Sequence, residues 1–120
     1  MEFDFPEFEA LKGYAYDIVN SNVVLTNEIS DLLTVMALDN EGENLLEYIE
    51  EHSSNEQLNM IVEVGVSHLQ PAARWQIAEL ICRRKPENYL KYLSVLSEDS
   101  HSYVRQRAQN CIEYSFGGLK

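Results

Sequence analysis

The stretch Pro71-Ala-Ala-Arg-Trp-Gln-Ile-Ala-Glu-Leu-Ile-Cys-Arg-Arg84 decides the fold of this chain. Its apolar residues, Ala72, Ala73, Trp75, Ile77, Ala78, Leu80, Ile81 and Cys82, cover far more of a helical wheel than one stripe. A helix apolar over most of its circumference must be covered by neighbours on several sides. The pattern therefore predicts a central helix, with earlier segments on one flank and later ones on the other. Pro71 suits a first helical position, where its missing N–H would have had no partner anyway. Arg83-Arg84-Lys85 complements the negative end of the helix dipole, and Pro86 stops the helix. Trp75, the only tryptophan, is assigned to the core.

Working outward, the same periodicity recurs in both directions. Residues 1–6 form an aromatic-acidic lead-in. A first helix is predicted over 7–19, opened by Pro6, with Phe8, Leu11, Ala15 and Ile18 inward, and Asn20-Ser21-Asn22 breaks it. A second helix follows Thr26 with Ile29, Leu32, Leu33 and Met36 on one face, and Asp39-Asn40-Glu41-Gly42 reads as a turn. A short third helix, 43–52, turns Leu45, Leu46 and Ile49 inward. Ser53 with Glu56 and Ser54 with Gln57 are two overlapping capping boxes that start a fourth, whose face is Leu58, Ile61, Val62, Gly65 and Leu69. Beyond the central helix, 87–96 carries Leu90, Leu93 and Leu96, Ser97-Glu98-Asp99-Ser100 turns, and 102–115 carries Val104, Ala108, Cys111 and Ile112. Phe116-Gly117-Gly118-Leu119-Lys120 is read as a C-cap and tail. The fold class predicted is all-α, about seven helices in one domain over 1–120.

At 120 residues, 45% of them apolar, the chain can bury one core and is not a disordered tail. No apolar run is long enough to cross a bilayer, and Met-Glu-Phe-Asp-Phe-Pro-Glu is acidic where a signal peptide would be basic, so a cytoplasmic location is expected. Cys82 and Cys111 fall among apolar helical positions and are expected as two reduced, buried thiols. The net charge of -11 is unevenly placed. Residues 1–63 carry fifteen Asp/Glu against the single Lys12, whereas residues 64–120 carry five acids and eight bases. Such a first half repels phosphates, which argues against direct nucleic-acid binding, and steers basic partners toward itself. Solubility alone would also account for acidity.

The last two helix pairs echo one another. Ala73-Arg74-x-x-Ile77-x-x-Leu80-Ile81 overlays Val104-Arg105-x-x-Ala108-x-x-Cys111-Ile112 at an offset of 31 residues. A helix pair recurring at this length marks an α-solenoid, in which each pair buries its face by stacking on the next. The second copy, Leu93-x-x-Leu96-x-x-Asp99-x-x-x-x-Val104-Arg105-x-x-Ala108-x-x-x-Ile112, resembles the HEAT repeat family. The clearest repeats are 55–85 and 86–115. The resemblance implies that Asp99 and Arg105 are structural, forming ladders between neighbouring repeats. The first copy departs from the pattern: His68 stands where the Asp belongs, and Ala73 replaces Val. HEAT arrays serve mostly as binding surfaces, so the resemblance speaks to fold more than function.

No G-x-S-x-G, HExxH, phosphate-cradling Gly loop or C-x-x-C occurs, so no enzyme activity, cofactor or metal is expected. Glu98 to His101 is one E-x-x-H spacing, but it spans a turn, and the second such motif of a di-iron bundle is missing. His52, His68 and His101 are scattered. The third helix stands apart. Glu43, Glu47, Glu50 and Glu51 fall opposite Leu45 and Ile49, with i,i+4 and i,i+3 like-charge pairs and no interleaved base. Each such pair costs about 0.2–0.5 kcal/mol in an isolated molecule. Asp39 and Glu41 extend this surface, and Tyr16 and Tyr48 border it. These eight residues are the candidate partner-binding site, with a solvated acidic face as the plain alternative. A compact acidic chain of this kind looks like bacterial immunity proteins, which neutralise the basic nuclease toxins of contact-dependent inhibition systems. The resemblance implies a basic protein partner whose substrate cleft, or an adjacent basic surface, is occupied by the carboxylates. A HEAT-like scaffold or adaptor for a non-toxin partner is the alternative function.

Overall fold

The structure, a computed structural model, describes residues 6–115. They form seven helices: α1 Pro6–Asn20, α2 Thr26–Leu38, α3 Asn44–His52, α4 Asn55–Gly65, α5 Pro71–Arg84, α6 Tyr89–Leu96 and α7 Ser102–Ser115. The described residues contain no strand, so the chain is all-α as the periodicity requires. The lead-in before Pro6 and the Phe116–Lys120 tail lie outside the described residues.

α5 is the hub. It packs against α2, α3, α4, α6 and α7. Ala73, Ile77, Ala78, Leu80 and Ile81 are wholly buried. Pro71 opens the helix, and Lys85, in the left-handed region at φ 49°, closes it just ahead of Pro86. Trp75 is only half-buried. Its ring meets Tyr103 of α7 edge-on at 5.4 Å, and the Arg107 guanidinium lies 4.9 Å over it. The pairs Arg74–Asp99, Trp75–Tyr103 and Glu79–Arg107 ascend together, so α5 and α7 run in the same direction.

The joint between the 55–85 and 86–115 units is polar and specific. Asp99 accepts two bonds from Arg74, Nε at 2.8 Å and Nη2 at 3.1 Å, and the pair is largely buried. Arg105 does not pair with the Asp99 carboxylate; its Nη1 donates instead to the Asp99 carbonyl at 2.7 Å. Arg74 makes the same move one unit earlier, donating to the His68 carbonyl at 2.6 Å. His68 also keeps the aspartate's place. Its Nδ1 accepts the Gln70 amide at 3.0 Å, as Asp99 accepts the His101 amide at 2.8 Å, and its Nε2 meets Thr34 Oγ1 of α2 at 3.2 Å.

Two buried glutamines stitch the first helices to the rest. Gln57 Nε2 donates to the Ile18 and Val23 carbonyls, and Gln76 Nε2 to those of Met36 and Ala72. Of the two capping boxes, Ser54 alone caps α4, accepting the Gln57 amide at 3.1 Å, while Ser53 Oγ donates back to Ile49. Three leucines expected inward are exposed. Leu11, at 40%, sits at the margin of a face that narrows to Phe8, Ala15, Ile18 and Val19. Leu69, at 90%, lies past the end of α4 at Gly65, where helical phase no longer applies. Leu90, at 52%, belongs to a helix of only two turns, which buries Leu93 and Leu96 alone.

Candidate functional site

The acidic helix α3 is placed by its ends. Its N-terminus has no side-chain cap of its own, because Glu43 occupies the Ncap position in the left-handed region at φ 55°. Asp39 supplies the missing acceptor: its Oδ2 receives the Leu45 amide at 2.8 Å, and the residue is buried. A carboxylate at a helix N-terminus satisfies an otherwise orphaned donor and complements the dipole. Asp39 therefore does not extend the acidic surface as expected. It faces inward and is spent on the fold.

The C-terminus of α3 is closed by α5. Arg84 Nη1 donates to the Glu50 carbonyl at 2.9 Å and to the Ser53 carbonyl and hydroxyl at 3.1 Å, and Nη2 reaches Asn55 at 3.2 Å. A basic side chain bonded to the last carbonyls of a helix is a favoured termination. The run expected to serve the dipole of α5 thus serves that of its neighbour as well.

Leu45, Leu46 and Ile49 are wholly buried, which fixes the rotation of α3 and sends its carboxylates two ways. On one flank Arg83 gathers Glu50 at 2.9 Å, Glu79 at 3.5 Å and Glu43 at 3.9 Å. Burial works against the Arg83 charge, but the Glu50 hydrogen bond and the fields of Glu79, Glu50 and Glu43 outweigh it and raise the guanidinium's pKa. Glu43 and Glu50 are therefore held by Arg83, whose single charge they share with Glu79, contrary to a uniform four-carboxylate face. Glu47 and Glu51 point the other way and are exposed, as is Glu41 in the preceding turn. Among the described residues no lysine or arginine lies within ion-pair distance of Glu47 or Glu51, and Glu51 has only His52, at 3.9 Å.

Tyr16 and Tyr48 form the other border. Their rings meet tilted with centroids 4.6 Å apart, His52 lies tilted against Tyr48 at 4.2 Å, and Tyr48 donates its hydroxyl to Asn20 at 2.6 Å. Both tyrosines are half-buried and bind α1 to α3. Farther along α1, Tyr14 donates to Asp31 at 3.0 Å, the bond that does most to raise this tyrosine's pKa.

The arginines of the basic half are committed within the fold. Arg74, Arg83, Arg84, Arg105 and Arg107 all donate to acceptors within the fold, and Arg107 holds Glu79 while stacking on Trp75 and Tyr103. Pairings such as Arg83 with Glu50 join residues 33 apart and carry no sequence signal; only the Glu79–Arg83 i,i+4 spacing could have been read in advance. No group of three or more metal-ligating side chains occurs among the described residues. None of the family models, curated proteins or solved structures compared with the chain matches it.

Proposed function

We propose that this protein is a HEAT-like binding module that captures a basic protein partner on the outward edge of α3, and that it acts as an immunity protein toward a basic nuclease toxin. One observation carries the reading. Glu47 and Glu51 repel one another at i,i+4 with no lysine or arginine paired to either among the described residues, while every arginine of the chain donates to an acceptor within the fold. A docked cationic surface converts that repulsion into attraction and is steered toward it before contact. Tyr16 and Tyr48 provide stiff, half-exposed rings, a residue type that concentrates binding energy at interfaces. With substrate phosphates and α3 competing for the same cationic cleft, occupation by the carboxylates blocks the nuclease.

The test is stopped-flow association with the basic domain encoded by the neighbouring reading frame. Glu47→Gln with Glu51→Gln should slow association about tenfold at low salt, with the difference vanishing once the Debye length shrinks to about 3 Å near 1 M salt. An association rate indifferent to both substitutions sinks the reading. The scaffold alternative is favoured by the internal use of Glu43 and Glu50, which leaves a smaller acidic edge than a dedicated inhibitor of a basic cleft would present. It expects a partner without nuclease activity and little response to these changes.

A further inference from the structure

Along the seam between α5 and α7 the side chains meet in register. Trp75 faces Tyr103, and Glu79 faces Arg107, each pair 28 residues apart. The next α5 residue on this face is Cys82, and the next turn of α7 beyond Arg107 brings Asn110 and Cys111. Both cysteines, with Glu79, Arg107, Asn110 and Tyr114, line one cavity of about 320 Å³. Cys111 is buried, and Cys82 is half-buried. Packed helices have axes about 8–10 Å apart and Cα atoms about 2.3 Å from the axis. Residues facing one another across such a seam therefore have Cα atoms roughly 3.4–5.4 Å apart, overlapping the span of about 4.4–6.8 Å that a disulfide needs.

We propose that Cys82 and Cys111 form a cross-helix dithiol that a low-molecular-weight disulfide of the glutathione class oxidises to an intramolecular disulfide, pinning α7 to α5. The Cys82 thiolate, nearer solvent, attacks one sulfur of the small disulfide, and one thiolate leaves. The Cys111 thiolate then attacks Cys82 Sγ and expels the second thiolate. The two protein thiols lose two protons and two electrons in all, and the small disulfide is reduced to two thiols. Such bonds in reducing compartments are transient and redox-sensing rather than permanent. The cavity shares Glu79 with the Arg83 cluster, but neither Glu47 nor Glu51 lines it.

The full chain is incubated with oxidised glutathione, then acid-quenched, denatured, alkylated and weighed. The expected product is a monomer about 2 Da lighter than the reduced chain, with neither cysteine alkylated and the peptides bearing Cys82 and Cys111 joined. Cys111→Ser should stop at the glutathione adduct on Cys82, and Cys82→Ser should leave the buried Cys111 unmodified. The folded wild type should close at least about tenfold more readily than the chain unfolded in urea, because the seam raises the effective concentration of one thiol at the other. Equal closure in both states overturns the proposal. So does a wild type that halts at the Cys82 adduct with Cys111 still alkylatable, or one that crosslinks only between molecules. The wild-type comparison stands even if a variant fails to fold.

Discussion

Gly65 ends α4 where that helix crosses α5 and α2, and it is buried. A methyl group there would fall 2.5 Å from Ile77 Cγ1, 2.7 Å from Ile77 Cδ1 and 3.2 Å from Leu33 Cδ2. Carbon atoms pack at about 3.5–4.0 Å, so Gly65→Ala drives roughly an ångström of overlap into Ile77, which is itself wholly buried. Overpacking of this kind costs about 1–3 kcal/mol, against a helix-propensity gain of at most about 1 kcal/mol, smaller at a last helical position. The net expectation is a loss of about 1–2 kcal/mol, or a Tm lower by roughly 4–8 °C for a domain of this size. Urea unfolding followed by Trp75 fluorescence measures it. Ile77→Ala alone should cost about 2–5 kcal/mol, yet in the Gly65→Ala background it removes both clashing carbons, Cγ1 and Cδ1, and should cost less. The double-mutant cycle should therefore show a favourable coupling of about 1 kcal/mol. A neutral Gly65→Ala, or a cycle additive within about 0.5 kcal/mol, would refute the close approach of α4 to α5.

Three further outcomes follow from the joints. Asp99→Ala breaks a largely buried, doubly bonded pair and should cost about 3–5 kcal/mol in denaturant unfolding. Burial pushes the Asp99 carboxyl up, but the Arg74 bond, the His101 amide and the Arg74 charge outweigh it and hold the pKa below its ordinary value. That contribution is complete above about pH 4 and is lost as pH falls through the depressed value, so wild type should lose more stability on acidification than Asp99→Ala. His68 is displaced downward by burial and then by the Arg74 charge, so its neutral form is the folded one. Its contribution is complete above about pH 6.5 and shrinks as pH drops through that range, a slope that His68→Asn should remove from the pH dependence of Tm. Arg83→Gln should cost about 1 kcal/mol by releasing Glu43, Glu50 and Glu79, whereas Glu47→Gln should leave stability unchanged or raise it by about 0.2–0.5 kcal/mol.

The helices were legible because their signals are local. Pro71 and Pro86 bracket α5, Ser54 caps α4, and the 3.6-residue spacing places α2 and α7. The width of each buried face was not legible. Periodicity names a direction, but only the neighbours decide how far round the helix burial extends, which is why Leu11 and Leu90 are exposed. The acidic site was half legible for a similar reason. The wheel of α3 correctly places Glu47 and Glu51 opposite Leu45 and Ile49. It cannot reveal that Arg83, some thirty to forty residues later, folds back onto Glu50 and Glu43. Asp39 was misjudged because its partner, the Leu45 amide, is a backbone donor exposed only by the left-handed turn at Glu43.

The division of labour on α3 has a consequence for its chemistry. One flank is held by Arg83 and Arg84, the other by the Tyr16–Tyr48–His52 cluster, and the floor by three wholly buried side chains. Nothing in that arrangement requires acid at Glu47 or Glu51. A lysine at either position would relieve the i,i+4 repulsion and could pair with its neighbour for a few tenths of a kcal/mol. The fold thus leaves both positions to solvent, and changes at them separate from changes in stability. An effect of Glu47→Gln and Glu51→Gln on partner capture, with unfolding unmoved, is the signature of a surface electrostatic site. Coupled loss of both would place these carboxylates back among the joints, with Glu43 and Glu50.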